Sequence, residues 1–411
     1  MRLLEIRAVC VLHCATFVLF RLALPLVVLL LPLAAFAQET RAGVIAAQQA
    51  EKAANLAPPK RHWAEELVLT VQKTLLQQPS GVYPYFDSVY SGGGFTLGAG
   101  YRQYTGDRTH LNVAGLYSLP GYKLIQVSGT SPGHFSGRLD LHGNAGWRDA
   151  TQVSYYGLGI DSPEDAGTAF RMQQAFAGGD LTLRPARWLP VNAAVAYEDY
   201  TLKDPTGNKL PVEGNYTPET APGVGVDPVY LHSSVSVGVD SRPAADYARH
   251  GSLFQVAAHH FADRDATYSF DRLDVEAVQH IPILRENWVI SLRGRLESVI
   301  DDEDQVPYFL LPSLGSGSTL RGYSSWRFRD RHAVLASAEW RWIVNRMALD
   351  LALFGDTGMV APRFDALTTS RFVSDYGIGV RFHGPATTPL RVELARGREG
   401  MRIVFAASAA F

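Results

Sequence analysis

The sequence predicts an all-β protein, a transmembrane antiparallel β-barrel of about 16 strands preceded by an export signal and a short helical segment. Apolar and polar side chains alternate with a period of two in strand-length segments, and Gly, Asp or Pro turns separate these segments. The composition agrees, because 37 glycines, 18 tyrosines and 19 phenylalanines suit a β protein with many turns and aromatic-lined surfaces. A net charge of -2 argues against a nucleic-acid partner.

The export signal is predicted at residues 1–37. Arg2 and Arg7 give it a positive start, and residues 22–33 form an apolar run. Ala35-Phe36-Ala37 then has the small–x–small pattern that signal peptidase recognises, so we expect the mature chain to start just after it. The alternative is a retained membrane anchor.

Residues 38–84 are predicted to be a helical segment. Residues 46–54 are rich in helix formers, and residues 63–76 place apolar side chains four apart on one face, with Pro58-Pro59 as a break between them. About 40 residues are too few for an independent domain with a substantial core. The segment therefore either plugs the barrel lumen or lies in the periplasm.

Residues 85–411 are assigned to the barrel. We count about 14 to 16 strand-like segments, and 16 suits roughly 320 residues at roughly 20 per strand and turn. A soluble β-sandwich is disfavoured because the segments are long, their polar faces are rich in charged residues, and Tyr and Trp gather near their ends. Phe411 has the position of the terminal aromatic residue found in barrels inserted into the bacterial outer membrane, so we interpret it as an insertion signal.

Two connections between strands, residues 203–227 and 306–329, are long enough to suggest a function. The second is rich in Gly and Ser around Arg321. A guanidinium held in a low-dielectric lumen needs a carboxylate, and a bidentate pair supplies several charge-assisted hydrogen bonds. Asp356 is the expected acceptor, with Glu339 as the second choice.

The motifs resemble those of the BamA/TamA family of outer-membrane proteins, the bacterial surface antigen superfamily, which includes two-partner secretion translocators. Each motif is weak alone, but together, in this order and spacing, they are specific. They span residues 85–411 and comprise Tyr155–Ser162, Leu320-Arg321-Gly322-Tyr323, Phe354-Gly355-Asp356-Thr357-Gly358, Tyr376–Phe382, Pro389-Leu390-Arg391 and Phe411.

This resemblance implies a 16-stranded barrel whose sixth extracellular loop folds into the lumen. The loop arginine, with Gly322 and Tyr323 beside it, would pair there with Asp356, and we call this arrangement the latch. The resemblance also implies a weak seam between the first strand, about Gly94–Gln103, and the last, Met401–Phe411, through which client proteins or lipids reach the membrane. Glycines in the first strand fit an easily parted edge.

The sequence departs from this family in three respects. The family carries periplasmic POTRA domains before the barrel, and the predicted helical segment is too short to hold one, which puts client capture in doubt. The double glycine expected before the arginine is loosened to Gly315-Ser316-Gly317, and the proline often found shortly after Glu339 is missing.

No enzyme, metal or cofactor site is predicted. There is no Gly-x-Ser-x-Gly motif and no Ser/His/Asp arrangement above chance. His259 and His260 are expected on opposite faces of a strand, and residues 301–304 are expected to form a solvated turn rather than a calcium site. Cys10 and Cys14 both lie in the signal, so the mature chain has no disulfide or thiolate chemistry.

The sequence thus predicts an integral protein of the Gram-negative outer membrane. Its expected role is membrane insertion or translocation of proteins, or lipid handling, through a seam or a lumen gated by the inward loop. Expected partners are outer-membrane lipid and lipopolysaccharide together with client outer-membrane or secreted proteins, and the barrel is expected to be monomeric. The alternative function is a passive pore for small solutes.

Overall fold

The computed structural model describes residues 43–52, 80–85, 87–284, 286–300, 306–344, 348–384, 387–388, 390–406 and 408–411. The chain divides into two units, Met1–Leu67 and Val68–Phe411. In the first unit, residues 43–52 form an exposed helix. The predicted signal, the predicted helix at 63–76 and the predicted turn at 301–304 lie outside the described residues. Within the described ranges, no helix is long and apolar enough to cross a membrane.

Sixteen antiparallel strands form one sheet in chain order, in which each strand pairs with both of its neighbours except the first and the last, which have one partner each. These strands are β1 (Gly81–Tyr85), β2 (Thr96–Tyr104), β3 (His110–Ser118), β4 (Lys123–Gly133), β5 (Leu139–Tyr155), β6 (Thr168–Ala186), β7 (Leu189–Lys203), β8 (Val229–Asp240), β9 (Gly251–Asp263), β10 (Phe270–Ile283), β11 (Trp288–Val299), β14 (His332–Val344), β15 (Leu349–Ala361), β16 (Val373–Phe382), β17 (Leu390–Gly397) and β18 (Gly400–Ala406). β12 (Ser313–Leu314) and β13 (Phe328–Arg329) pair with each other in the connection between β11 and β14. The all-β barrel fold and its 16 strands are confirmed.

The strands separate an apolar outer face from a polar inner face, as their period of two requires. On β17, Leu394 is exposed on the outer face, whereas Arg391 and Glu393 are buried on the inner face. β8 likewise leaves a row of large apolar side chains exposed, comprising Leu231, Val235, Val237 and Val239. An apolar exterior around a charged interior is the arrangement of a barrel wall that faces lipid.

The first strand lies earlier than predicted. β1 begins at Gly81, inside the segment predicted to be helical, and the strand expected to be first is β2. With five residues and an internal Pro84, β1 shows too few alternations to be recognised in the sequence. Gly100 on β2 leaves room for the Tyr83 ring, with which a side chain there would collide. This glycine therefore packs the edge strand against its neighbour rather than only loosening it.

The last strand ends earlier than predicted. β18 stops at Ala406, and residues 408–411 are not in a strand. The reason lies in the neighbouring strand, because Ala406 is paired with Arg391 and β17 begins only one residue before that arginine. No ladder joins β1 to β18 among the described residues, so these two are the edge strands of the sheet.

The largest buried cluster lies at one end of the barrel, at which residues 204–228 and 306–331 connect strands, and we call this the loop end. Its members are mostly aromatic and include Tyr155, Phe170, Tyr200, Tyr230, Phe261, Phe270, Tyr308 and Phe309. The Tyr308 ring lies 4.9 Å from that of Tyr155 and 5.0 Å from that of Phe170, both edge-on. Val212 and Ala221 also belong to the cluster, so both long connections fold inward.

Candidate functional site

The connection between β11 and β14 is the sixth at the loop end, and it forms a hairpin that enters the barrel. The short β12–β13 ladder narrows its base. Gly315 then adopts a left-handed backbone with φ of 100°, and the Trp326 N–H donates to the Gly315 carbonyl at 2.7 Å. Leu320 and Tyr323 pack in a second buried cluster with Phe328 and residues of β14 and β15. The hairpin tip, residues 316–325, is thereby held inside the barrel.

Arg321 lies at this tip and is only 1% exposed. Its Nε and Nη2 donate to the two carboxylate oxygens of Asp356 at 2.7 and 3.0 Å, which is a bidentate pair. Its Nη1 donates to Glu339 at 3.2 Å and to Glu393 at 3.0 Å. The guanidinium also lies over the Phe354 ring, 3.5 Å from its centroid. The structure therefore brings Arg321, Asp356 and Glu339 together and adds Glu393.

The charge on Arg321 is stabilised by its neighbours. Burial alone would lower the pKa of the Arg321 guanidinium, but the carboxylates of Asp356, Glu393 and Glu339 raise it above its usual value. Arg321 stays a cation, and a buried cation with three carboxylate partners cannot leave the lumen without separating several charge-assisted hydrogen bonds.

The inner wall carries further arginines that share these carboxylates. Arg381 donates to both Glu339 and Glu393, the latter at 3.1 Å, and Arg391 donates to Glu393 at 2.5 Å. Glu339 and Glu393 thus each keep a wall arginine that does not belong to the loop. Among the described residues, Arg321 is the cation that pairs with Asp356.

Sequence reasoning missed Glu393 and the role of Arg381. Both sit at inward positions of their strands, β17 and β16, and the alternation of those strands was visible in the sequence. Their place in the network around Arg321 depends instead on the order of β14 to β17 in the sheet, which cannot be derived from a local sequence pattern.

Gly322 and Tyr323 fix the tip beside the arginine. The Gly322 N–H donates to Asp375 on β16 at 2.9 Å, and a Cβ at this position would lie 2.6 Å from the backbone nitrogen of Gly397. The Tyr323 hydroxyl donates to the Ser374 carbonyl at 3.3 Å. Glycine is required at position 322 because the space that a Cβ would need is filled by backbone atoms, which cannot move aside as a flexible side chain could.

The same hairpin contacts connections next to both edge strands. On the β1–β2 side, the Trp326 Nε1–H donates to the Ser91 carbonyl at 2.9 Å, and its ring stacks on Tyr90 at 5.0 Å. On the other side, Arg327 donates to Glu399, between β17 and β18, at 2.8 and 3.0 Å. Trp326 adopts a φ of 63°, a strained conformation for a bulky residue. The surrounding contacts hold it there.

Phe411, the remaining predicted site residue, is not a partner of Arg321 in the latch. Phe411 does not extend the last strand, and its ring centroid lies 5.8 Å from the Arg293 guanidinium on β11. His259 and His260 diverge, since His259 contacts His232 at 3.0 Å and His260 contacts Asp271 at 2.7 Å. Within the part of the chain that the structure describes, no group of three or more metal-ligating side chains is assembled.

Together, the fold and the latch define a class of protein, a 16-stranded barrel whose sixth loop is fixed to the inner wall by a buried arginine. The chain belongs to the Omp85 superfamily, whose domain matches residues 105–403. The resemblance to the BamA/TamA family is thereby confirmed.

Solved structures give the same fold. BamA from Haemophilus ducreyi lacking POTRA domains 1–3 is 17% identical with a TM-score of 0.59, over 80% of this chain and 69% of that one. CdiB from Escherichia coli is 12% identical with a TM-score of 0.52, over 80% of this chain and 62% of that one. The chain thus spans less than two thirds of CdiB. No curated protein sequence gave a significant match.

Proposed function

We propose that this protein resides in the outer membrane of a Gram-negative bacterium and inserts or translocates polypeptides there. The route runs through the lumen or through the seam between β1 and β18, and the inward hairpin controls it. The observation that carries this proposal is the hairpin itself, which is latched to the wall by Arg321 and contacts the connections beside both edge strands.

These contacts couple the hairpin to the seam. Trp326 is bonded to Ser91 and the next residue, Arg327, is bonded to Glu399. Separating the two edge strands at the loop end would move Ser91 away from Glu399. Either the Trp326–Ser91 contact or the Arg327–Glu399 contact must therefore break before the seam opens at the loop end. Because the latch fixes the hairpin, its release and the opening of the seam are linked.

The edge strands suit the addition of another strand. β1 has five residues and β18 has seven, whereas β5 has 17, so little hydrogen bonding would hold the two edges together. Edge strands with unpaired backbone groups are templates for an incoming strand. A client in extended conformation is therefore a suitable substrate for this seam.

Packing at both ends of the barrel disfavours a passive pore. At the loop end, the backbone N–H of Tyr308, a member of the aromatic cluster, donates to the Pro222 carbonyl at 2.8 Å and so joins the two inward connections. At the opposite end, the turn between β8 and β9 folds inward, where the Tyr247 hydroxyl donates to Asp350 at 2.9 Å and the ring stacks on His383 at 4.3 Å. A steady solute flux requires an open lumen, and inward-folded segments at both ends therefore favour the proposed function over a pore.

The test replaces the native gene with an Arg321→Ala variant and compares outer-membrane and secreted proteins by quantitative proteomics. An Arg363→Ala variant is the matched control, because the Arg363–Asp365 pair is exposed, with side chains 76% and 71% accessible. We expect a subset of proteins to be depleted by Arg321→Ala alone. An unchanged proteome in a deletion strain, together with large and steady conductance of the purified barrel in planar bilayers, would overturn the proposal in favour of the pore.

A further inference from the structure

Residues 408–411 turn from the end of β18 into the barrel and contact two arginines of the inner wall. Arg391 Nε donates to the Ser408 carbonyl at 3.0 Å, and Arg293 Nη1 donates to the Ala410 carbonyl at 3.4 Å. Ala410 is buried, and the Phe411 ring faces the Arg293 guanidinium. The segment is thus held by its backbone and by one aromatic side chain.

Each of these arginines also holds the tip of the inward hairpin. Arg391 donates to the Gly317 carbonyl, and Arg293 donates to the Ser318 carbonyl at 2.8 Å. Arg391 therefore joins Gly317 of the hairpin to Ser408, and Arg293 joins Ser318 of the hairpin to Ala410. The hairpin tip and the 408–411 segment occupy one common site.

The site is built into the wall. Arg391 is 1% exposed and Arg293 is 9% exposed, so both guanidiniums are shielded from water. Each keeps a carboxylate on the wall, Glu393 at 2.5 Å for Arg391 and Glu276 at 2.6 Å for Arg293. Arg391 Nε and Nη2 and Arg293 Nη1 donate to carbonyls, to which a buried, charge-assisted hydrogen bond is strong. Because these carboxylates already fix the arginine side chains, a ligand loses little free energy in ordering them when it binds.

The two bound carbonyls belong to a segment with a bend at Ser408 and no helix or turn in the described residues after it. In an extended chain, residues i and i+2 project equivalent groups to the same side, and Ser408 and Ala410 have this spacing. Side chains contribute little at these positions because they are small. One side chain, the aromatic ring of Phe411, adds a cation–π contact with Arg293.

We propose that Arg293 and Arg391 form a binding site for an extended polypeptide. Residues 408–411 occupy it as an intramolecular ligand, and an extended client segment with small residues before an aromatic one takes their place. The inference rests on the proposed function and deepens it, since it names a class of peptide and its contact on the wall. Because the same two arginines also donate to Gly317 and Ser318 of the hairpin tip, occupancy of the site and the position of the hairpin are coupled.

The test uses the full-length barrel refolded in detergent and a variant lacking residues 408–411. The probe is a fluorescein-labelled peptide, Ala-Ala-Ser-Ala-Ala-Phe, which has the sequence of residues 406–411. We expect saturable binding to the shortened variant by fluorescence anisotropy, and binding weaker by about tenfold or more to the full-length barrel, where the site is filled. A peptide with Ala in place of Phe should also bind more weakly.

Arginine variants of the shortened barrel identify the site. Arg293→Gln and Arg391→Gln should each weaken peptide binding by about tenfold or more, whereas Arg363→Gln should not. Arg293→Lys and Arg391→Lys serve if the Gln variants fail to refold, because they keep the charge and lose the fork of donors. Equal peptide binding by the shortened barrel and its refolded arginine variants overturns the proposal, as does equal binding by the full-length and shortened barrels.

The binding assay is independent of client handling in cells. If the purified barrel binds the peptide through both arginines but deletion of the gene leaves the proteome of the cells unchanged, the site is supported and the proposed function is refuted. Loss of client proteins on gene deletion, without arginine-dependent peptide binding, would support the function and refute the site.

Discussion

Replacing Arg321 with Ala removes the cation of Asp356 while the other carboxylates of the latch keep theirs. Glu339 retains Arg381, and Glu393 retains Arg381 and Arg391. Asp356 is left as a buried carboxylate opposite Asp375 in the β15–β16 register. The destabilisation should therefore come mainly from this one carboxylate, and a second substitution that neutralises it should restore part of the lost stability.

The magnitude follows from the burial of the pair. Arg321 and Asp356 side chains are each 1% exposed, and removing one partner of a buried ion pair costs about 3–5 kcal/mol. Asp356→Asn in the Arg321→Ala background removes the orphaned charge, and we expect it to restore about 1–3 kcal/mol. Glu339→Gln in the same background should restore nothing, because Glu339 is still paired with Arg381.

The assay is urea unfolding of the refolded barrel in lipid vesicles, followed by tryptophan fluorescence in both directions to establish equilibrium. The four proteins of the Arg321/Asp356 double-mutant cycle are measured together, and we expect a coupling energy of about 1–3 kcal/mol. The exposed ion pair Arg363–Asp365 provides a matched cycle in which the coupling should be about 0–1 kcal/mol.

Two outcomes would refute this reasoning. Additive losses in the Arg321/Asp356 cycle would show that the pair does not stabilise the fold as a unit. Equal recovery from Asp356→Asn and Glu339→Gln in the Arg321→Ala background would show that the lost stability is not centred on Asp356.

Other expected outcomes follow from neighbouring features. Gly322→Ala should lower the free energy of unfolding by about 1–3 kcal/mol, because its Cβ meets backbone, whereas Gly294→Ala, with open space around it, should be nearly neutral in the same urea titration. Arg327→Ala should speed protease cleavage of the inward hairpin in intact vesicles; an unchanged rate would contradict its role in holding the hairpin. Tyr247→Ala should raise single-channel conductance in planar bilayers, and no rise would show that this turn does not obstruct the lumen. Amino-terminal sequencing of the protein from outer membranes should begin at Gln38; a start at Met1 would favour the retained anchor.

The barrel and part of the latch were predictable because both depend on local pattern. A pleated strand directs alternate side chains to opposite faces, so alternation alone assigns the inward positions. Asp356 and Glu339 lie at inward positions of β15 and β14, the strands that directly follow the loop. An arginine in that loop has them as its nearest carboxylates along the chain, which is why sequence reasoning found them.

Glu393 and both edge strands were not predictable on the same basis. Glu393 is 72 residues from Arg321 in sequence, and it meets the guanidinium only because three other strands place β17 there. At the other end, alternation continues from Ile403 to Phe411, yet β18 stops at Ala406. Alternation predicts which face of a sheet a side chain would occupy, but it does not predict whether a neighbouring strand is present for the segment to pair with.

The two adjacent residues Arg321 and Gly322 bond to four consecutive strands, through Glu339 on β14, Asp356 on β15, Asp375 on β16 and Glu393 on β17. A connection of this kind acts as an internal brace, since it fixes the curvature of one quarter of the wall. We expect any change in the shape of the barrel to be taken up by the remaining strands, above all by the short edge strand β1. We therefore expect β1 to be the less stiff of the two edge strands.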